Sequence, residues 1–360
     1  MLLPNYELVS KIGESRSTVV FKGFRKRDPD RILALKLLKA PLSDSRKAQL
    51  QQRIERLKVL DDPLVVTPTI FGTNDDISFV GQDFFDGVPL DELVSTWCGV
   101  DLNAYFTIAC TLVRAACGVH EAGIVHGGIK PHNILVNPTT LEVRLVDFVS
   151  AADVSDVSHF IYDESFVRAT LSYTSPEQTG RISHRVSFSS DLYSLGVIFY
   201  EMLCRRLPFM ASDPLELIHS HLAQEAAPVH EINPDIPATL SRIIERLMLK
   251  EPEKRYQSSK SLLADLQRCK DEYLSSGRIS AFPLEASMGA TRITFISKMV
   301  GRDAEAALIL NEYEKVTGGA FRSLFISGLS GIGKTRLIQE LQKPIVKHKG
   351  YFASGKFDFY

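Results

Sequence analysis

Five β-like runs crowd into the first 83 residues, at 6–12, 18–24, 31–38, 67–71 and 77–83, and helical periodicity governs most of the chain from there to about 275. That segregation is the strongest constraint on the fold. Strands that alternate with helices build a parallel sheet covered on both faces, whereas strands followed by helices build two separate lobes of an α+β fold. Gly13, Gly23 and Asp28-Pro29 punctuate the first three runs. A polar helix at 43–60, with Ser43 as its N-cap, falls between the third and fourth. In the later part, residues 102, 105, 106, 109, 112, 113, 116 and 119 are apolar, the spacing of one buried helical face. Residues 192–203 are apolar nearly all round, as befits a helix at the centre of a lobe, and helices also fit 214–224, 239–249 and 258–273. The expectation is bilobal, with a β-rich first lobe and a helical second one.

Bulk composition removes several function classes. A net charge of −1 gives no general attraction to nucleic acid or to an anionic membrane. The five cysteines form no CxxC pair and read as free thiols of a reducing cytosol, so a cytoplasmic location is expected. The N-terminal ten residues have neither a cationic start nor a long apolar stretch and do not read as a signal peptide. No run reaches the ~18 apolar residues of a membrane span. The longest candidate, 192–203, carries Glu201.

Chemistry-bearing residues recur in a fixed order. Gly13-Glu14-Ser15-Arg16-Ser17-Thr18-Val19-Val20 joins the first two strands, and Ala34-Leu35-Lys36 lies on the third. His126-Gly127-Gly128-Ile129-Lys130-Pro131-His132-Asn133 precedes the apolar Ile134-Leu135-Val136, and Asp147-Phe148-Val149 follows a strand at 143–146. Ser175-Pro176-Glu177, the helix beginning Asp191-Leu192-Tyr193-Ser194-Leu195-Gly196, and Arg255 complete the series. In order and spacing these elements resemble the protein kinases, whose parts position ATP, hold Mg²⁺ and steer an acceptor hydroxyl. The resemblance implies a protein-kinase fold over residues 1–272 and an ATP site of Gly13, Val20, Ala34, Lys36, Gln82, Phe84, Lys130, Asn133 and Asp147. It places Lys36 on the α/β-phosphates, Lys130 at the γ-phosphate as the remaining catalytic-loop cation, and Asn133 and Asp147 on Mg²⁺. It also implies a structural ion pair between Glu177 and Arg255.

The departures from that pattern bear on activity. The catalytic aspartate is Gly128, which has no side chain to accept a hydroxyl proton. The arginine before it, which reads activation-loop phosphate, is Gly127. Counting along the polar helix puts Arg53 at the place of the glutamate that partners Lys36; the nearest acid, Glu55, lies about 200° round the helix. Val149 replaces the glycine after Asp147-Phe148, and a β-branched residue resists positive φ. Three readings stay open: a nucleotide-binding pseudokinase, an active serine/threonine kinase in which His132 or a water replaces the missing group, and an interaction domain that binds no nucleotide.

Residues 273–298 lack clear periodicity and read as a linker, after which Val300-Gly301-Arg302-Asp303 opens a second unit at 299–360. Gly328-Leu329-Ser330-Gly331-Ile332-Gly333-Lys334-Thr335 is a complete phosphate-binding P-loop between a β-like run at 323–327 and a helix at 335–341. Its backbone N–H groups and helix N-terminus suit phosphate, its lysine the β/γ oxygens and its threonine hydroxyl Mg²⁺. No acidic partner strand follows, so the expectation is the front portion of an α/β P-loop ATPase from a longer protein. Taken together, the two units resemble the large multidomain sensor proteins of bacteria and fungi. Those join a serine/threonine-kinase-like domain to an AAA-type ATPase, a GAF domain and a sensor histidine kinase. The resemblance implies those downstream domains as partners, protein substrates for an active form, ATP and Mg²⁺ as cofactors, and a role in signal transduction.

Overall fold

The computed structural model describes residues 3–15, 17–74, 77–148, 170–182, 184–211, 213–284, 302–327, 334–339, 341 and 344–345. A five-stranded antiparallel sheet forms the first lobe from β1 (Tyr6–Glu14), β2 (Thr18–Arg25), β3 (Asp28–Leu38), β4 (Ile70–Asn74) and β5 (Ile77–Asp83), in the order β1-β2-β3-β5-β4. β3 shows how sequence sets its faces. Leu33, Leu35 and Leu37 alternate into a small core with Leu3 and Phe79, which forces Ala34 and Lys36 onto the opposite face. Burying each of those leucines stabilises the lobe by about 1.5–3 kcal/mol.

Helix α1 (Asp44–Leu57) starts at Ser43, whose Oγ accepts from Arg46 N. It buries Ile54 and Leu57, and Leu57 joins the core of the second lobe. β4 begins later than the expected run at 67–71. Just before it, Val66 N donates to Leu145 O and Leu145 N donates to Leu64 O, so residues 64–66 are held by a strand of the other lobe, while Thr69 N already donates to Gly81 O of β5. That strand is β8 (Val143–Leu145), which pairs with β7 (Ile134–Val136) and through it with β6 (Val88–Pro89).

The helical lobe is built on α3 (Leu102–Glu121), which follows the short α2 (Leu90–Ser95), and on α4 (Phe188–Cys204). Around them lie α5 (Pro214–Ala223), α6 (Val229–Ile232), α7 (Ala238–Leu247) and α8 (Ser259–Ser276). At Gly196 a Cβ would sit 2.7 Å from Leu247 Cβ, so only glycine lets α4 and α7 approach this closely. Among the described residues, α3 rather than 192–203 is the helix long and apolar enough to span a membrane, and most of it is buried inside the lobe.

Residues 277–284, part of the segment read as a linker, lie against the helical lobe. Phe282 is buried under the Arg268 guanidinium, and Thr239 Oγ1 and Arg242 donate to the Ser280 and Phe282 carbonyls. Beyond them come α9 (Asp303–Thr317) and α10 (Lys334–Gln339). The strand expected at 323–327 is not formed: that stretch has no pairing partner among the described residues, and Phe325 is 94% exposed. A strand's hydrogen bonds come from its neighbours, so the apolar run alone does not make one.

Candidate active site

The cleft between the lobes is roofed by a cross-strand row. Gly13 faces Val20, Val20 faces Lys36, and Ala34 faces Gln82 across the sheet. Directly opposed residues share a face, so Val20, Ala34, Lys36 and Gln82 look toward the second lobe. Two hydroxyls support the β1–β2 turn: Thr18 N donates to Ser15 Oγ at 3.1 Å and the Ser15 and Thr18 hydroxyls share a hydrogen bond at 2.8 Å, beside the backbone bond from Ser15 N to Thr18 O at 2.8 Å. Glu14, beside this turn, is held by Lys11 and Lys39, whose hydrogen bonds and charges lower its pKa to about 2. Phe84 sits at the cleft's front edge. Its N–H is taken by Ile32 O and its ring lies under Lys22 Nζ at 4.3 Å. The neighbouring Phe85 N–H finds no backbone acceptor among the described residues, a group the sequence reading passed over.

The floor is a loop pinned from below. Asp191, in the first turn of α4, accepts from His126 N at 2.9 Å, Gly127 N at 2.7 Å and the His120 Nε2–H at 2.9 Å. His126 Nε2–H donates to Val146 O while its Nδ1 accepts from Gly128 N, which fixes the tautomer. Burial pushes the His126 pKa down, so the imidazole is neutral and has no nitrogen left for a substrate. Asn133 Nδ2 donates to Gly128 O at 2.9 Å, and Gln178 Nε2 donates to Gly127 O at 2.6 Å. Gly127 has φ +72°, which glycine adopts without strain. Asp147 holds φ +65°, a conformation worth about 1 kcal/mol of strain for a residue with a Cβ.

Lys36 and Asp147 meet across the cleft, Nζ to Oδ2, at 2.8 Å. Lys130 Nζ donates to Thr170 Oγ1 at 3.2 Å; burial lowers the lysine's pKa, partly offset by Asp147. Lys36 and Asp147 therefore meet in the cleft, with Lys130 and Asn133 on the loop that forms its floor. Thr170 and Gln178 join them without having been singled out, because their contacts span 40 and 51 residues of sequence; Asp191, expected as the start of its helix, reaches the loop across 64. The carboxamide oxygen of Asn133 and the carboxylate of Asp147 form a hard-oxygen donor set that fits Mg²⁺ brought with nucleotide phosphates. Gly128 contributes only backbone, and no residue from 126 to 133 carries a carboxylate. Glu55 does not rescue Lys36: it is exposed and pairs with Lys58 on its own helix at 2.6 Å.

Below the loop, Arg255 and Glu177 form a two-pronged pair at 2.7 and 2.9 Å with both side chains fully buried. Arg255 also donates to the Ser189, Leu249 and Lys250 carbonyls, and Ser190 Oγ donates to Glu177. Burial pushes the Glu177 carboxyl up, but the Arg255 hydrogen bonds and charge outweigh it and hold the pKa below the usual carboxylate value.

Residues 6–266 match the family model of the protein kinase domain. The chain belongs to the protein kinase family. Residues 298–360 match the model of the AAA ATPase domain. A hybrid signal transduction histidine kinase of Dictyostelium discoideum is 30% identical over 73% of this chain and 10% of its own length. A probable serine/threonine-protein kinase of Clostridium perfringens is 30% identical over 74% of this chain and 38% of its own. The serine/threonine-protein kinase PrkC of Bacillus subtilis is 27% identical over 67% of this chain and 37% of its own. The chain thus spans well under half of each relative. Within this kinase domain Lys36 lies on β3, Lys130 and Asn133 on the loop floor and Asp147 just beyond β8. Val149 and the P-loop residues Gly328, Ser330, Gly331 and Gly333 lie outside the described residues; Lys334 and Thr335 open α10.

Proposed function

We propose that the kinase domain is a nucleotide-binding signalling module with impaired phosphoryl transfer, joined to the first part of a P-loop ATPase. The observation that carries this reading is the contrast at Gly128. Its N–H and C=O are held by His126 and Asn133, yet it presents no side chain to an acceptor hydroxyl. Positioned general-base groups contribute typically 10²–10⁴-fold to rate. In this reading Lys36 and Lys130 bind phosphate oxygens, Asn133 and Asp147 supply oxygen ligands to the accompanying Mg²⁺, and the turn at Ser15–Thr18 covers the phosphates. Bound Mg²⁺ would neutralise phosphate charge. Val20 and Ala34 lie over the nucleotide base, and the backbone near Phe85 hydrogen-bonds its edge.

The resemblance to a hybrid histidine kinase supports placement in a cytoplasmic multidomain sensor, where ATPase, GAF and histidine-kinase domains would be the partners. Two measurements on one preparation test the proposal: ATP titration, and phosphate transfer to the chain itself and to a generic serine/threonine substrate. Binding without transfer supports it. Robust transfer abolished by Lys36→Ala would establish an active kinase in which another group replaces the aspartate, and absence of binding would leave an interaction domain.

A further inference from the structure

Phe282 and the residues around it belong to neither matched domain. The protein kinase match ends at residue 266 and the AAA ATPase match begins at 298. Helix α8 runs on to Ser276, where Gly277, at φ +69°, ends it and turns the chain. Residues 278–284 then lie along α7 and α8 without regular secondary structure.

Their contacts are those of a bound peptide. Ile279, Phe282 and Leu284 pack on the core of the helical lobe, whereas Ser280, Ala281 and Pro283 between them are exposed. Phe282 is the anchor, 3% exposed, with the Arg268 guanidinium 4.1 Å from its ring centroid. Side chains of both helices hold the backbone. Thr239 Oγ1 donates to Ser280 O at 3.0 Å, Arg242 donates to Phe282 O at 3.2 Å, and Ser280 N donates to a Glu272 carboxylate oxygen at 2.8 Å. Arg268 donates to the other Glu272 oxygen at 3.1 Å, which ties the aromatic clamp to the backbone clamp.

Among the described residues, no backbone group of 278–284 bonds to another backbone group. A strand integral to a sheet is held by its backbone ladder, whereas a docked extended peptide is held by side-chain anchors and clamps. Pro283 biases Phe282 toward extended backbone, which lowers the ordering cost of docking.

We infer that the face between α7 and α8 is a peptide-docking site whose occupant is this chain's own segment 278–284, so that the chain leaves the kinase lobe at residue 284 rather than at the end of α8. The chemistry it fits is an extended peptide with apolar side chains at the spacing of Ile279, Phe282 and Leu284 and a proline after the aromatic. Held by anchors, the segment leaves and re-enters its site while the lobe stays folded. The inference is independent of nucleotide binding.

Hydrogen exchange on the full chain tests it together with titration of a fluorescein-labelled peptide of residues 276–284. In the wild type, amides of 278–284 should exchange more slowly than in the free peptide, yet at least about a hundredfold faster than those of α4. Phe282→Ala should speed exchange of the segment by about tenfold or more and leave α4 unchanged. That variant, its site emptied, should bind the labelled peptide with a Kd below about 100 μM. The wild type, whose own segment competes, should bind it at least about tenfold more weakly, and the same peptide carrying Phe282→Ala should not bind. Wild-type exchange of 278–284 at the rate of the free peptide, or only together with α4, overturns the inference. So does a Phe282→Ala chain that loses protection in α4, that fails to bind the peptide, or that binds it no better than the wild type.

Discussion

The two sides of the catalytic loop have been treated differently. Beneath it, every polar group discussed is buried and paired: Asp191 receives three donors, and Arg255 meets Glu177 and three carbonyls. Above it, the Lys36–Asp147 pair is partly exposed, at 24% and 18%, and the position that would do chemistry is a bare glycine. Removing a buried partner strands the other charge in a poor dielectric, which the fold cannot tolerate. Removing a side chain that faces a solvent-filled cleft leaves nothing stranded. The scaffold is thus bound by folding, while the catalytic face is bound only by function.

The sharpest test of that contrast is Arg255→Ala. It leaves the Glu177 carboxylate unpaired in the core and should destabilise the domain by about 3–5 kcal/mol, read as the midpoint of denaturant unfolding. An unchanged midpoint would mean the lower scaffold is not under folding constraint. Asp191→Ala comes next: it unpairs the N–H groups of His126 and Gly127 and should cost about 2–3 kcal/mol. Lys36→Ala, on the upper side, should change stability by less than about 1 kcal/mol while weakening ATP binding. A large loss of stability there would erase the distinction between the two faces.

Gly128→Asp should move stability least. Gly128, unlike Gly127, does not hold a positive φ, so a side chain enters without backbone strain. Phosphate transfer by this variant should stay far below that of the combination Gly128→Asp, Arg53→Glu and Val149→Gly. Base, lysine partner and metal-site backbone act on different steps, so full recovery from Gly128→Asp alone would show that Arg53 and Val149 are immaterial.

A pH dependence sharpens the picture of the lower side. Burial, then the nearby Arg255 charge, depresses the Lys250 pKa from 10.5 to about 7, with its ammonium 4.5 Å from the Phe209 ring. Between those values the unfolded chain binds more protons than the folded one, so this lysine's contribution makes stability rise with pH from about 7 to 10.5. Lys250→Met should flatten that rise. Glu177 works in the acid range with the same slope: its folded pKa is depressed, so its stabilisation is present above the unfolded carboxylate value and fades as pH falls through the folded one.

Much of the fold was legible because its signals are local. β5 spans the same residues that alternation marks, 77–83, and α3 departs by one residue from its apolar periodicity. Spacing singled out Lys36 and Asp147, which meet at 2.8 Å, and Lys130 and Asn133, which lie on the loop between His126 and β7. Other features were not. Asp28-Pro29 reads as a break yet sits inside β3, where Asp28 pairs with Arg25 beside the hairpin turn. Residues 67–71 read as a strand of the first sheet, but β4 starts only at Ile70, and the Leu145 backbone claims Leu64 and Val66 just before that run.

The P-loop half makes the same point more strongly. Its motif is complete in sequence, yet the run before it has no pairing partner among the described residues, with Phe321 88% and Phe325 94% exposed.

Sequence by itself determined the charge and donor type of Lys36, Lys130, Asn133 and Asp147, and that residues 126–133 lack a carboxylate, because residue identity sets both directly. It determined the faces of β3 and α3, because period-2 and period-3.6 alternation needs only the neighbouring residues. Tertiary structure alone decided that Asp191, not a local turn, holds Gly127, and that Glu55 turns to Lys58 and leaves Lys36 to Asp147. It decided too which lobe captures residues 64–66. Those outcomes depend on which of several competing partners lies within about 3 Å once the lobes have packed, and hydrogen bonds and ion pairs of that length are set by the arrangement of distant segments.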